Sequence, residues 1–277
     1  SQLKSGQIKT KKEFMKRLLF ALLGVILFAP AKADEGMWIP MLIGQNFNQM
    51  QKLGWKGTAD DIYSVNKSSL KDAIVHFGGG CTAEMISADG LVMTNHHCGY
   101  GNISSLSTVE NNYLMNGFVA NTKEKELPCP GLSVKFLVRM EDVTKRVRRK
   151  IGDAYGKDVS TRLREVTKDL KKENSKDGAY RVDVRSFYAG NKYYMFIYEV
   201  YTDVRLVAAP PESLGKFGGD TDNWMWPRHT CDFSMFRVYS NNNNRPAKYS
   251  KNNRPYHPKH HLPVSLKGVE DGDFAMI

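Results

Sequence analysis

The 277-residue sequence predicts a mainly β protein with one helical insertion, and three stretches carry that prediction. Thr82–Ser87 and Leu91–Thr94 are apolar, strand-like runs on either side of Ala88-Asp89-Gly90, and Asp-Gly between such runs is a strong hairpin signal. Residues 181–209 are dense in β-branched and aromatic side chains, with Gly190-Asn191 as a second turn. Residues 145–172 differ: Val147, Ile151, Ala154, Val159, Leu163, Val166 and Leu170 recur at mostly helical spacing, a stripe weakened by Gly152 and Gly156.

Taken in order, the chain opens on what reads as an export signal. Lys16-Arg17 precede a 12-residue apolar run, Leu18 to Ala29, and Ala31-Lys32-Ala33 is a small-x-small cleavage site. The run is too short to span a bilayer as a helix. Met15 is the expected start, with cleavage after Ala33, so residues 1–33 stand apart from a mature part, residues 34–277. After the apolar run Met37 to Ile43, the spacings of four, three and three from Ile43 to Phe47, Met50 and Leu53 suggest a short amphipathic helix ending at Gly54. Asp60-Asp61 and Ser68-Ser69 open further elements. Strands are expected over 73–77, 133–143 and 233–239, and a proline-broken polar loop over 241–258. Residues 273–277 read as the start of a strand, so the chain looks truncated there.

Composition narrows the function classes. Thirty aromatic residues argue against disorder. The formal charge of +11 is inflated by residues 1–33, which hold seven Lys/Arg and one Glu. Without them, 33 basic and 28 acidic residues remain. That is too weak a basic footprint for a nucleic-acid protein. Residues 145–172 hold eleven basic and four acidic residues, so this helix is a solvated basic face or a surface for acidic polymers. Export implies an oxidising compartment, where four cysteines fit two disulfides. Of three pairings, Cys81–Cys98 is favoured because a hairpin joins their ends; Cys129–Cys231 follows by elimination.

Two stretches carry chemistry. The first runs from Gly78-Gly79-Gly80-Cys81 to Thr94-Asn95-His96-His97-Cys98-Gly99-Tyr100. The second is Gly218-Gly219-Asp220-Thr221-Asp222-Asn223-Trp224-Met225-Trp226-Pro227-Arg228-His229-Thr230-Cys231-Asp232-Phe233. A histidine base needs a carboxylate to fix its tautomer and a nucleophile to serve. Asp232, at the mouth of a strand, is the best carboxylate; Asp220 and Asp222 read as turn residues. No serine lies in a Gly-x-Ser-Gly setting. Metal ligation by His96-His97-Cys98 lacks partners at ligand spacing, since His257, His260 and His261 lie in a Pro/Lys loop. No cofactor is expected, and Gly78-Gly79-Gly80 runs into strand signals, which argues against a phosphate cradle.

Together these motifs resemble the bacterial dipeptidyl-peptidase 7 and 11 family of serine exopeptidases, across residues 34–277. The resemblance implies a chymotrypsin-like double β-barrel, of which this chain holds the first barrel. It also implies periplasmic, outer-membrane-associated or secreted location, oligopeptide substrates, and an assembly that can include a homodimer of the full-length protein. His97 matches the general base and Asp232 its orienting carboxylate. Asn223 and Trp224 match residues that hold the substrate's free N-terminus. The nucleophilic Ser is expected beyond Ile277, so residues 1–277 alone are expected to be inactive. Cys231 stands where many members are expected to have glycine. The rival reading is a non-catalytic secreted β-domain binding peptides or polyanions.

Overall fold

The computed structural model describes residues 37–219, 221 and 227–276. The export signal, Asn223 and Trp224 lie outside the described residues. Eleven strands form one antiparallel sheet: β1 (Ile74–Phe77), β2 (Cys81–Met85), β3 (Leu91–Thr94), β4 (Phe118–Val119), β5 (Leu127–Pro128), β6 (Val134–Asp142), β7 (Arg181–Phe187), β8 (Lys192–Tyr201), β9 (Asp203–Ala209), β10 (Ser234–Ser240) and β11 (Arg254–Pro255). The spatial order is β4-β9-β10-β3-β2-β1-β6-β8-β7, with β11 on β10 and β5 on β9.

Both hairpins occupy the places that their turn residues mark. β2 and β3 pair Glu84 with Met93 and Met85 with Val92 across the Asp89-Gly90 turn. Gly90 has φ +71°, and a Cβ there would meet Val238 O at 2.7 Å and Tyr256 O at 2.8 Å, so only glycine fits. β7 pairs along its full length with residues 192–198 of β8 around Tyr188–Gly190.

Alternation sorts the faces. Val75, Phe77, Ala83, Met85, Val92, Val134, Phe136, Phe236 and Val238 form the main core, with Phe77 and Phe236 rings 4.9 Å apart. Their neighbours in sequence, His76 and Lys135 among them, face the other way. A second core lies under the helical insertion. The stripe folds as two helices, Thr144–Ile151 and Lys157–Asn174, broken where Gly152 and Gly156 take φ +54° and +57°. Val147, Val166 and Leu170 pack there on Val182, Met195 and Ile197.

Two expectations change, and the run after β3 folds as a helix that the sequence pattern does not mark: Asn95 ends the strand, and α1 (His96–Leu106) begins at once. Residues 273–276 form no strand. Cys129 and Cys231 do not pair. Cys129 is buried beside Leu127, whereas Cys231 is exposed next to Leu214, so elimination joins two cysteines that the fold keeps in different surroundings. The Cys81–Cys98 disulfide is present, with Cα atoms 6.1 Å apart. No helix among the described residues is long and apolar enough to cross a membrane.

Candidate active site

The site sits where β3 hands over to α1 and where a loop enters β10. β3 and β10 pair in register, Thr94 opposite Ser234, which sets Asn95 beside Asp232. Ser234 is fully buried and its hydroxyl donates to Asn95 O at 3.0 Å. α1 lies directly on β10 because residue 99 is glycine. A Cβ there would sit 2.7 Å from Ser234 Oγ and 2.9 Å from the Phe236 ring.

Asp232 is the hub. Its Oδ2 is 2.8 Å from His97 Nδ1 and accepts from Asn95 Nδ2 at 3.2 Å. Its Oδ1 accepts the His97 backbone N–H at 3.1 Å, one of the orphan donors of the α1 first turn. Asn95, at the N-cap, does not cap the helix with its own side chain; Asp232, distant in sequence, bonds the first turn instead. The positive end of α1 favours a carboxylate at that place. An ionised carboxylate only accepts, so it draws the imidazole proton to Nδ1 and leaves Nε2 as the basic nitrogen. The side-chain exposures match such a division: 63 % for His97 and 11 % for Asp232.

His96 plays a different part. It is 1 % exposed, and burial pushes its pKa below the usual histidine range, against the opposing pull of Asp232 and a hydrogen bond with the Pro210 backbone. Its ring lies flat against Gly215, where a Cβ would come within 2.5 Å. The Glu212–Gly215 turn also holds the other half of the site: Cys231 N–H donates to Leu214 O at 2.9 Å, one residue before Asp232. Tyr100 OH donates to Glu212 Oε1 at 3.1 Å. The disulfide ties Cys98, the residue after His97, to the start of β2.

The structure therefore brings His97 and Asp232 together and separates His96 from both in environment. Asn95, Ser234 and Gly215 support the pair and were not singled out from the sequence. For two of them a signal was present: Asn before a helix start is an N-cap residue, and Ser234 opens the strand that Asp232 leads into.

A histidine held by a largely shielded carboxylate, with its imidazole otherwise exposed, has the geometry that a general base needs in acyl transfer. Comparison with known proteins narrows this. The peptidase S46 family profile matches residues 33–277, and the chain belongs to that family. It is 53% identical over 272 residues to the Asp/Glu-specific dipeptidyl-peptidase of Capnocytophaga gingivalis, covering 96% of this chain and 37% of that protein. It is 52% identical over 268 residues to dipeptidyl-peptidase 7 of the same organism, covering 95% and 38%. The crystal structure of Porphyromonas endodontalis DPP11 with the dipeptide Arg-Glu superposes with a TM-score of 0.78 at 45% identity, over 87% of this chain and 36% of that one. The chain thus spans little more than a third of the length of these relatives.

Proposed function

We propose that this chain is the part of an exported serine-type dipeptidyl-peptidase that supplies the general base, His97, and its orienting carboxylate, Asp232. The observation that carries the reading is the 2.8 Å contact between His97 Nδ1 and Asp232 Oδ2, with the imidazole otherwise exposed. In this reading His97 Nε2 takes the proton of a serine hydroxyl located beyond Ile277. The serine oxygen bonds to the carbonyl carbon of the second residue of an oligopeptide. The C–N bond then breaks, and Nε2 returns the proton to the leaving amine; water, deprotonated by Nε2, then attacks the ester carbonyl, the serine leaves with that proton, and the dipeptide is released. Asp232 stabilises the imidazolium formed between the two transfers.

Asn223 and Trp224 hold the substrate's α-ammonium, which limits cleavage to two residues per step. The sheet described here is the first of two barrels in a chymotrypsin-like arrangement. Residues 34–277 form the mature N-terminal portion, and side-chain preference is set outside this chain, near the nucleophile. The names of the relatives support dipeptide release, and the geometry supports the base.

The test uses the full-length protein, with this chain extended to the length of its relatives, and fluorogenic dipeptidyl amides. Hydrolysis of dipeptidyl but not N-acetyl-dipeptidyl amides is expected, and residues 1–277 alone should release nothing. Hydrolysis by residues 1–277 that disappears in His97→Ala would overturn the division of the triad.

A further inference from the structure

A cleft lies beside α1, further along the helix from His97. It has a volume of about 600 Å³ and is walled by Gly78, Gly101, Ser105, Ser133, Lys135 and Arg181, among others. His97, Gly101 and Ser105 follow one another at four-residue steps, so they share one face of α1, and all three are exposed. At about 6 Å per step along a helix, the cleft lies roughly one to two turns from the base. The opposite wall is the Gly78-Gly79 turn, anchored to α1 through the Cys81–Cys98 disulfide.

Two independent observations point to a ligand there. The first is Gly101. It lies inside a helix at a φ outside the left-handed region, and a Cβ at this residue would meet nothing within 4 Å. Glycine in a helix interior costs about 1 kcal/mol relative to alanine, and no packing here requires it. Gly79 in the same cleft is equally free of neighbours and likewise outside the left-handed region. Such glycines keep open a channel into which side chains would otherwise project.

The second is Lys135. The residue is 8 % exposed, and it lines the cleft together with Arg181. His76 pairs with Lys135 in register, Lys135 with Val200, and Arg181 with Tyr198, so all three basic residues share the face away from the core. Asp183 on that face already pairs with Arg181, at 3.4 Å. Burial pushes the Lys135 pKa down; Arg181 and Arg185 add to this, and Asp183 opposes it. Three cations, Lys135, Arg181 and Arg185, against the one carboxylate of Asp183 leave this end of the cleft net positive and suited to an anion.

We propose that this cleft receives the peptide beyond the scissile bond and that Lys135 and Arg181 bind its C-terminal carboxylate. The proposal rests on His97 being the base of a peptidase, as set out above. An extended peptide advances about 3.3–3.6 Å per residue, so two to four residues past the bond span the one to two helical turns between His97 and the α1 wall of the cleft. The glycine-lined walls admit main chain, and Arg181, its side chain 56 % exposed, can turn its guanidinium to a carboxylate.

The experiment titrates residues 1–277 and the full-length protein with N-acetyl-trialanine, its C-terminal amide, and inorganic phosphate, followed by calorimetry and amide chemical shifts. The acid is expected to bind about tenfold or more tightly than the amide, the scale of a charge-assisted hydrogen bond, and to shift Gly101 and Lys135. Arg181→Gln should remove that preference. Gly101→Leu should weaken binding of both peptides while the Tm holds or rises. Lys135→Met should act as Arg181→Gln does, but Arg181 carries the test should Lys135→Met misfold. Equal binding of acid and amide, or unweakened binding by Gly101→Leu, would overturn the proposal. So would phosphate alone binding as tightly as the acid, which would make this a free-anion site, or loss of the acid preference in the full-length protein. If acid preference holds but the full-length protein cleaves no peptide, the peptidase reading fails and the carboxylate site stands.

Discussion

Gly215→Ala is the most discriminating single change in the support of the base. An alanine Cβ would lie 2.5 Å from His96 Cγ and Cδ2 and 2.9 Å from Nδ1. His96 cannot retreat: it is 1 % exposed, bonded to the Pro210 backbone, and flanked by the Tyr100 ring at 6.1 Å. Overpacking of this kind costs about 1–3 kcal/mol. Replacing glycine at a compatible backbone returns about 0.4–1 kcal/mol, and φ at Gly215 is not in the left-handed region. The balance is a loss of about 1–2 kcal/mol. At about 2–4 °C per kcal/mol for a chain of this size, the Tm should fall by about 2–8 °C in a thermal melt. Leu214 O holds Cys231 N–H, so any shift of the turn also moves Asp232 against His97. Full-length kcat should therefore fall by about ten- to a hundredfold, since a displacement near 1 Å can cost that much. An alanine variant with an unchanged or higher Tm would refute the close seating of His96.

Three further outcomes follow from the same structure. Cys231 is exposed, whereas burial pushes the Cys129 thiol up to about 12, so iodoacetamide at pH 8 should label Cys231 alone until the protein is denatured; a Cys129–Cys231 link in a non-reduced peptide map would contradict this. The same map should recover Cys81 joined to Cys98, and free thiols at both would count against the hinge between β2 and α1. His76 and His96 both have pKa values lowered chiefly by burial. The unfolded chain takes up protons below about pH 6.5 that the folded chain does not. Stability is therefore full above that pH and is lost as pH falls, and the Tm drop between pH 7.5 and 5.5 should be smaller in His76→Gln; an equal drop would dismiss the His76 contribution.

Sequence pattern revealed the parts of the fold that are locally determined. Gly90 and Gly190 mark hairpins because their backbone conformations exclude most side chains, and Gly152 and Gly156 mark the break in the basic stripe for the same reason. The helix α1 was not legible. Gly99 and Gly101 dilute its helical propensity, its apolar stripe is weak, and its support is tertiary: Asp232 at the first turn and close seating on β10. The pair itself was legible as residue types at the ends of strands, while the Glu212–Gly215 turn beneath it depends on contacts that no spacing rule records. Cys129 and Cys231 failed as a pair because counting cysteines says nothing about distance.

The central claim is that Asp232 holds His97 as a general base. The most direct measurement is kcat for a fluorogenic dipeptidyl amide across pH, comparing the full-length protein with Asp232→Asn. An amide in place of the carboxylate keeps the shape but can donate to Nδ1, which favours the wrong tautomer. Loss of kcat on the order of 10⁴ at neutral pH is predicted, with Tm little changed. Retention of kcat within about threefold, well under the 1.4 kcal/mol that a tenfold change represents, would contradict it.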